Sequence, residues 1–181
     1  MTRYIIPLLF LVLTLTACGN GSEATNATDV GIETPAEVRT AEAGTPDAFD
    51  ASFADGMTGT VFQYYLKLRT ALVASDPGAA RDAAQNIRAA VGSELPDIGR
   101  AASAIAASSE LAAQRAAFAE LSEEIKPVLE RGISQGTVYE QHCPMAFDGQ
   151  GANWFSDAAE IRNPYFGDKM LTCGRVVAEI K

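Results

Sequence analysis

Apolar residues recur at helical spacing through the region that follows residue 56. Val61, Tyr65, Leu68 and Leu72 share one face, with Phe62, Leu66 and Val73 beside them, and predict an amphipathic helix over 57–74. Asp76-Pro77 then supplies a capping carboxylate followed by a proline suited to a first helical position. It opens a second helix that carries Ile87 and Val91 and closes at Gly92-Ser93. Pro96 starts a shorter, alanine-rich helix with Ile98 and Ile105. Ser108 or Ser109 is positioned to cap a long fourth helix whose inner face reads Leu111, Phe118, Leu121, Ile125 and Leu129. Pro127 is expected to bend that helix and Gly132 to end it. Short connections between successive helices imply a mainly α fold, an antiparallel four-helix bundle. After Gly136 the pattern changes. Residues 137–139 (Thr-Val-Tyr) and 176–180 (Val-Val-Ala-Glu-Ile) are short and rich in β-branched side chains. They predict a small antiparallel ribbon bracketing a Gly/aromatic-rich loop, so the domain 57–181 ends in a Cys/Met segment over 137–181.

The N-terminal pattern is of another kind. One arginine, Arg3, precedes an apolar run from Ile5 to Leu15, well short of the roughly 20 residues a spanning helix needs. It reads as a secretory signal over 1–17. The run ends in Leu15-Thr16-Ala17-Cys18, which resembles the bacterial lipoprotein signal, in which the cysteine receives a diacylglycerol and becomes the new N-terminus. That resemblance implies an exported chain, lipid-anchored through Cys18, whose membrane partner is reached by acyl chains worth about 0.8 kcal/mol per buried methylene. Gly19, where an aspartate would signal retention at the inner membrane, points to the periplasmic face of the outer membrane. Residues 18–56 then form an acidic tether with few large apolar side chains, too poor in burial to offset its ordering entropy. Between Gly19 and Gly56, eight acidic residues against the single Arg39 account for −7 of the chain's net charge of −9. The domain that follows holds twelve basic and fifteen acidic residues with no basic patch, which excludes nucleic acid as the expected partner.

The chemistry concentrates near the C-terminus. Residues 138–174 contain the chain's one histidine and one tryptophan, and two of its three cysteines. Cys143-Pro144-Met145 and Met170-Leu171-Thr172-Cys173 make two sulfur dyads at the ends of the loop, with His142 adjoining the first. A ribbon that pairs these ends would gather two thiols, two thioethers and an imidazole. Soft ligands of this kind select Cu(I) or Ag(I) over hard ions. Zinc fits less well, since its fourth ligand would have to be Asp148 or Asp168. Calcium finds no dense carboxylate loop. The other reading of the pair is a Cys143 to Cys173 disulfide, the usual fate of two cysteines in an exported protein. Closing a loop of this length contributes about 3 to 4 kcal/mol on the chain-entropy model. In that case Met145 and Met170 are apolar filler and His142 is an ordinary histidine. Phe147, Trp154, Phe155, Tyr165 and Phe166 read as the core of a compact loop set against the open end of the bundle. The alternative for Trp154 is to shield a bound cation or offer it a ring face.

The stretches HCPMA (142–146), GANW (151–154), EIRNPYFGDKM (160–170) and MLTCG (170–174) resemble the C-terminal signature of a bacterial domain family of formally unknown function. That family occurs as free exported or lipid-anchored proteins, and as an extension of periplasmic adaptor subunits in copper- and silver-type heavy-metal efflux pumps. The resemblance implies a part in copper or related metal handling. Cys143, Met145, Met170 and Cys173 are the matching soft positions and His142 a fifth, with an efflux adaptor or another envelope protein as partner. The chain has no adaptor barrel or hairpin pattern of its own. Two functions are therefore expected: a lipid-anchored Cu(I)/Ag(I)-binding protein of metal homeostasis or efflux, or a non-enzymatic interaction module stiffened by a disulfide. Enzymatic activity is not expected, because Gly-x-Ser-x-Gly, Cys-x-x-Cys and paired loop carboxylates are all missing.

Overall fold

The computed structural model describes residues 51–181. The signal segment 1–17, the lipidation candidate Cys18 and the tether as far as residue 50 lie outside the described residues. Four helices come first: α1 (Gly56–Val73), α2 (Pro77–Val91), α3 (Pro96–Ala107) and α4 (Leu111–Gly132). They pack in sequence, α1 on α2, α2 on α3 and α3 on α4, with α4 returning to α1. Strand β1 (Ser52–Phe53) precedes them and pairs antiparallel with β2 (Ile133–Gln135), which leaves the end of α4. A three-stranded antiparallel sheet completes the fold. Its order is β4 (Ala152–Ser156), β3 (Val138–Cys143) and β5 (Arg175–Ile180), with β3 in the middle. Among the described residues no helix is long and apolar enough to cross a membrane.

Local chemistry sets the helix ends. Asp55 caps α1, accepting from the Thr58 backbone N–H at 2.7 Å and from its hydroxyl at 2.8 Å. Asp76 caps α2 by accepting from the N–H groups of Gly78 and Ala79, both at 2.9 Å, with Pro77 at the first helical position. The fourth helix starts differently from the sequence expectation. Glu110 occupies its cap position without a side-chain cap, and Ser108 Oγ instead accepts the Glu110 N–H at 3.0 Å. Pro127 lies inside α4, which extends through it to Gly132. A Cβ on Gly132 would stand 2.9 Å from Thr58 Cγ2, so this glycine lets the end of α4 close on the start of α1. Residues 51–55, assigned from the sequence to the tether, carry β1 and the α1 cap, with Ala51 buried. Buried alanines at 80, 83, 84, 101 and 102 line the α2 and α3 core positions, where small side chains permit close helix approach.

The ribbon is wider than the sequence indicates. Both expected strands are present and pair through Val138↔Ile180 to His142↔Arg175, with an irregularity opposite Glu140 and Gln141. The third strand, β4, comes from within the Gly/aromatic loop and pairs Tyr139↔Ser156 through Cys143↔Ala152. Alternation along β4 directs Trp154 and Phe155 to opposite sides, and both are buried. Phe155 faces the helices, 6.2 Å from the Tyr65 ring. Trp154 meets Tyr165, from the loop that follows β4, edge-on at 5.9 Å. The sheet is thus covered on one face by helices and on the other by its own chain, which is why the aromatic residues cluster in this stretch.

Three polar links join sheet and helices. The Tyr65 hydroxyl accepts the Phe155 backbone N–H at 3.1 Å and shares a 2.6 Å hydrogen bond with Ser122 on α4. Lys126 on α4 donates to both carboxylate oxygens of the buried Glu140 on β3 at 2.9 Å. Arg69 on α1 donates to Ser156 Oγ and pairs with Asp157 at 3.4 Å. The Tyr65 link is the most enclosed, and burial raises that phenol's pKa. Substituting Tyr65→Phe leaves the Phe155 N–H buried and unpaired, a cost of about 1–3 kcal/mol. The expected result is a lower urea midpoint with the slope unchanged; a wild-type midpoint contradicts the link.

Candidate thiol site at the sheet end

Cys143 is the last residue of β3 and Cys173 stands two residues before β5. Pairing of these strands brings their sulfurs to 3.4 Å. Cys143 is fully buried and Cys173 half-buried. Tetrahedral ligands of one ion at about 2.3 Å each stand about 3.8 Å apart, so the spacing suits a shared ion after a small side-chain adjustment. It equally suits a bridge. The Cys173 thiol has a raised pKa, first because it hydrogen-bonds to Cys143 and then through burial. That is the opposite of an activated nucleophile, whose thiolate is favoured by neighbouring positive charge.

The five candidate ligands are placed unequally. His142 and Cys143 are neighbours on a strand, so their side chains leave opposite faces of the sheet. The His142 ring turns to its cross-strand partner Asn153, with Nδ1 and Oδ1 2.7 Å apart. It lies over Gly151, where a Cβ would come within 2.7 Å of Cε1 and 2.9 Å of Nε2. Its partner on the other side in the register is the exposed Arg175, a cationic neighbour that does not favour a bound metal ion. Met170 closes a 3-10 turn (Gly167–Met170) and is half-buried, and its carbonyl accepts the Cys173 N–H at 3.0 Å. Met145 is 55% exposed on the turn after β3. Asp148 and Asp168 are also exposed. Among the described residues no three His, Cys, Asp or Glu side chains stand together as a metal cluster.

Backbone geometry around the site is unusual. Phe147 and Asp148 have φ of 51° and 57°, followed by Gly149 at 86°, three successive residues in the left-handed region. The conformation costs about 1–2 kcal/mol for each non-glycine residue. Phe147 is held there by an edge-on contact with Tyr165 at 5.4 Å. Trp154 is a core residue here, fully buried against Tyr165, with its indole N–H unpaired among the described residues.

Two residues outside the candidate ligand set organise the loop between β4 and β5. Asn163 is fully buried and bonds through all four of its polar groups, including a 2.7 Å bond from Nδ2 to the Cys173 carbonyl. Arg115 on α4 donates to the Pro164 carbonyl at 2.8 Å and to the Leu72 carbonyl at 3.0 Å, fastening the same loop to the end of α1. An asparagine before a proline marks a turn in any sequence. Nothing local marks it as buried, and Arg115 appears in the sequence as an ordinary helix-surface charge.

The raised Cys173 pKa has a direct consequence for reactivity. In the reduced folded chain, iodoacetamide labelling of Cys173 is expected to rise at higher pH than in the urea-unfolded chain, because the thiolate forms later. Labelling that rises at lower pH in the folded state contradicts the Cys143 contact as the dominant influence. A second outcome concerns the ring of His142. Gly151→Ala, at φ +79° and against that ring, is expected to destabilise by more than about 1 kcal/mol and to shift the His142 NMR resonances. An unchanged midpoint and spectrum argue against the packing.

Residues 61–136 match the model of a family described as a protein of unknown function (DUF3347). The matched stretch begins within α1 and stops before β3, so Cys143 and Cys173 lie beyond it. No curated protein and no solved structure matches the chain. The helical part of the chain, residues 61–136, is a DUF3347 domain of unknown function.

Proposed function

We propose that this protein binds Cu(I) or Ag(I) through Cys143 and Cys173, with Met170 as the neighbouring thioether, as part of metal homeostasis or efflux. The observation that carries the reading is the 3.4 Å approach of the two sulfurs, one buried and one half-exposed. Soft sulfur donors suit soft monovalent ions. Two thiolates already offset one positive charge, so an uncharged thioether adds a donor without adding a charge to the site. Zinc is disfavoured because a closed zinc site takes four ligands, and the exposed aspartates are poorly disposed to complete it. His142 belongs to the opposite face, so the ligand set is narrower than the sequence alone suggests. Met145, exposed on the turn after β3, is suited to first contact with an incoming ion. In this proposal the chain is not an enzyme. It is held by lipid at Cys18 on the periplasmic face of the outer membrane, and it exchanges metal with an efflux adaptor or another envelope protein.

A second reading is supported by the same pair. Cys143 is fully buried, and bridging it to Cys173 would stiffen the loop as a docking face for an envelope partner. Competition of the reduced chain with a Cu(I) chelator separates the two. The first reading expects Cys143→Ser to weaken binding about a hundredfold, about 2.7 kcal/mol, Met170→Leu to weaken it less, and His142→Ala to leave it unchanged. Equal weak binding by all four proteins removes the metal reading. A fully bonded pair in protein taken from the cell envelope favours the second.

A further inference from the structure

We infer that Asn163 is the positioning residue of the cysteine pair: it fixes the backbone of Cys173 so that its sulfur meets that of Cys143. The inference rests on the proposed reading only in treating this pair as the functional site. Asn163 is 0% exposed, and every polar group it owns is bonded. Its N–H donates to the Leu171 carbonyl at 2.8 Å, and its carbonyl accepts the Gly167 N–H at 3.1 Å. Its side-chain Oδ1 accepts the Tyr165 N–H at 2.8 Å, while Nδ2 donates to the Cys173 carbonyl at 2.7 Å.

These four bonds close the segment from 163 to 173 on itself. They hold Cys173 against a point, Pro164, that Arg115 fastens to α4 and to the end of α1. Cys143 comes to the site on the central strand of the sheet; Cys173 comes on a loop, and a loop is where position is otherwise least constrained. Only a side-chain amide can serve. One end must accept from an N–H and the other must donate to a carbonyl. Aspartate offers no donor, and its charge would face the Cys173 carbonyl oxygen.

The test measures how strongly the fold holds the two thiols together, without any metal. Reduced full-length protein is equilibrated with glutathione and its disulfide. Cys143 and Cys173 lose two protons and two electrons to form one disulfide, and oxidised glutathione takes them up to leave as two thiols. The ratio at equilibrium gives the effective concentration of the pair. Asn163→Ala is expected to lower it at least about tenfold, a potential shift of about 30 mV, while helix content stays that of the wild type. Asp55→Ala, which removes the cap of α1, serves as the control for general destabilisation and is expected to leave the ratio unchanged. Should Asn163→Ala fail to fold, the isosteric Asn163→Asp carries the same expectation. An Asn163 variant within about threefold of wild type, or a shift equal to that of Asp55→Ala, overturns the inference. A tenfold shift in a chain that fails to bind Cu(I) overturns the metal reading and leaves the positioning role standing.

Discussion

A buried hydroxyl couples the two halves of this domain. Tyr65 belongs to α1, yet its oxygen bonds to Ser122 on α4 and to the backbone of Phe155 on β4. Its ring stacks on Phe118 at 5.0 Å and reaches Phe155 at 6.2 Å. A small sheet needs an apolar face to pack on to be stable, and the helices supply one. Tyr65 fastens β4 to the bundle, and the pairing of Glu140 with Lys126 fastens the central strand β3. Everything at the sulfur site inherits its position from that strand.

The site itself is an asymmetric assembly. Cys143 is buried at the end of a fixed strand, and Cys173 is half-exposed at the end of a loop closed by Asn163. The asymmetry would suit the proposed metal exchange: one sulfur is enclosed and the other can be reached. The DUF3347 match covers residues 61–136 and ends before this site.

Much of this was legible in the sequence, and the reasons are physical. Helix periodicity and the Asp76-Pro77 and Gly92 signals give α1 to α3 within a residue or two, because caps and apolar spacing are local properties. The convergence of Cys143 and Cys173 followed from pairing two β-branched stretches that flank them. The start of α4 was misplaced because two serines compete for the cap and neither takes it. Strand β4 was hidden in Ala152-Asn153-Trp154-Phe155-Ser156, whose polar and glycine neighbours resemble a loop. Adjacency in sequence places His142 with Cys143, whereas neighbours on a strand point to opposite faces. Asn163 is legible in the sequence only as the start of an Asn-Pro turn, and Arg115 not at all, because the role of each lies in backbone carbonyls contributed from other positions.

The central claim is that metal binding here belongs to the two cysteines and excludes the adjacent histidine. X-ray absorption at the copper edge, on reduced full-length protein loaded with one equivalent of Cu(I), addresses it most directly. The account predicts a first shell of sulfur alone, unchanged in His142→Ala and lost in Cys173→Ser. A nitrogen shell that disappears in His142→Ala would contradict it.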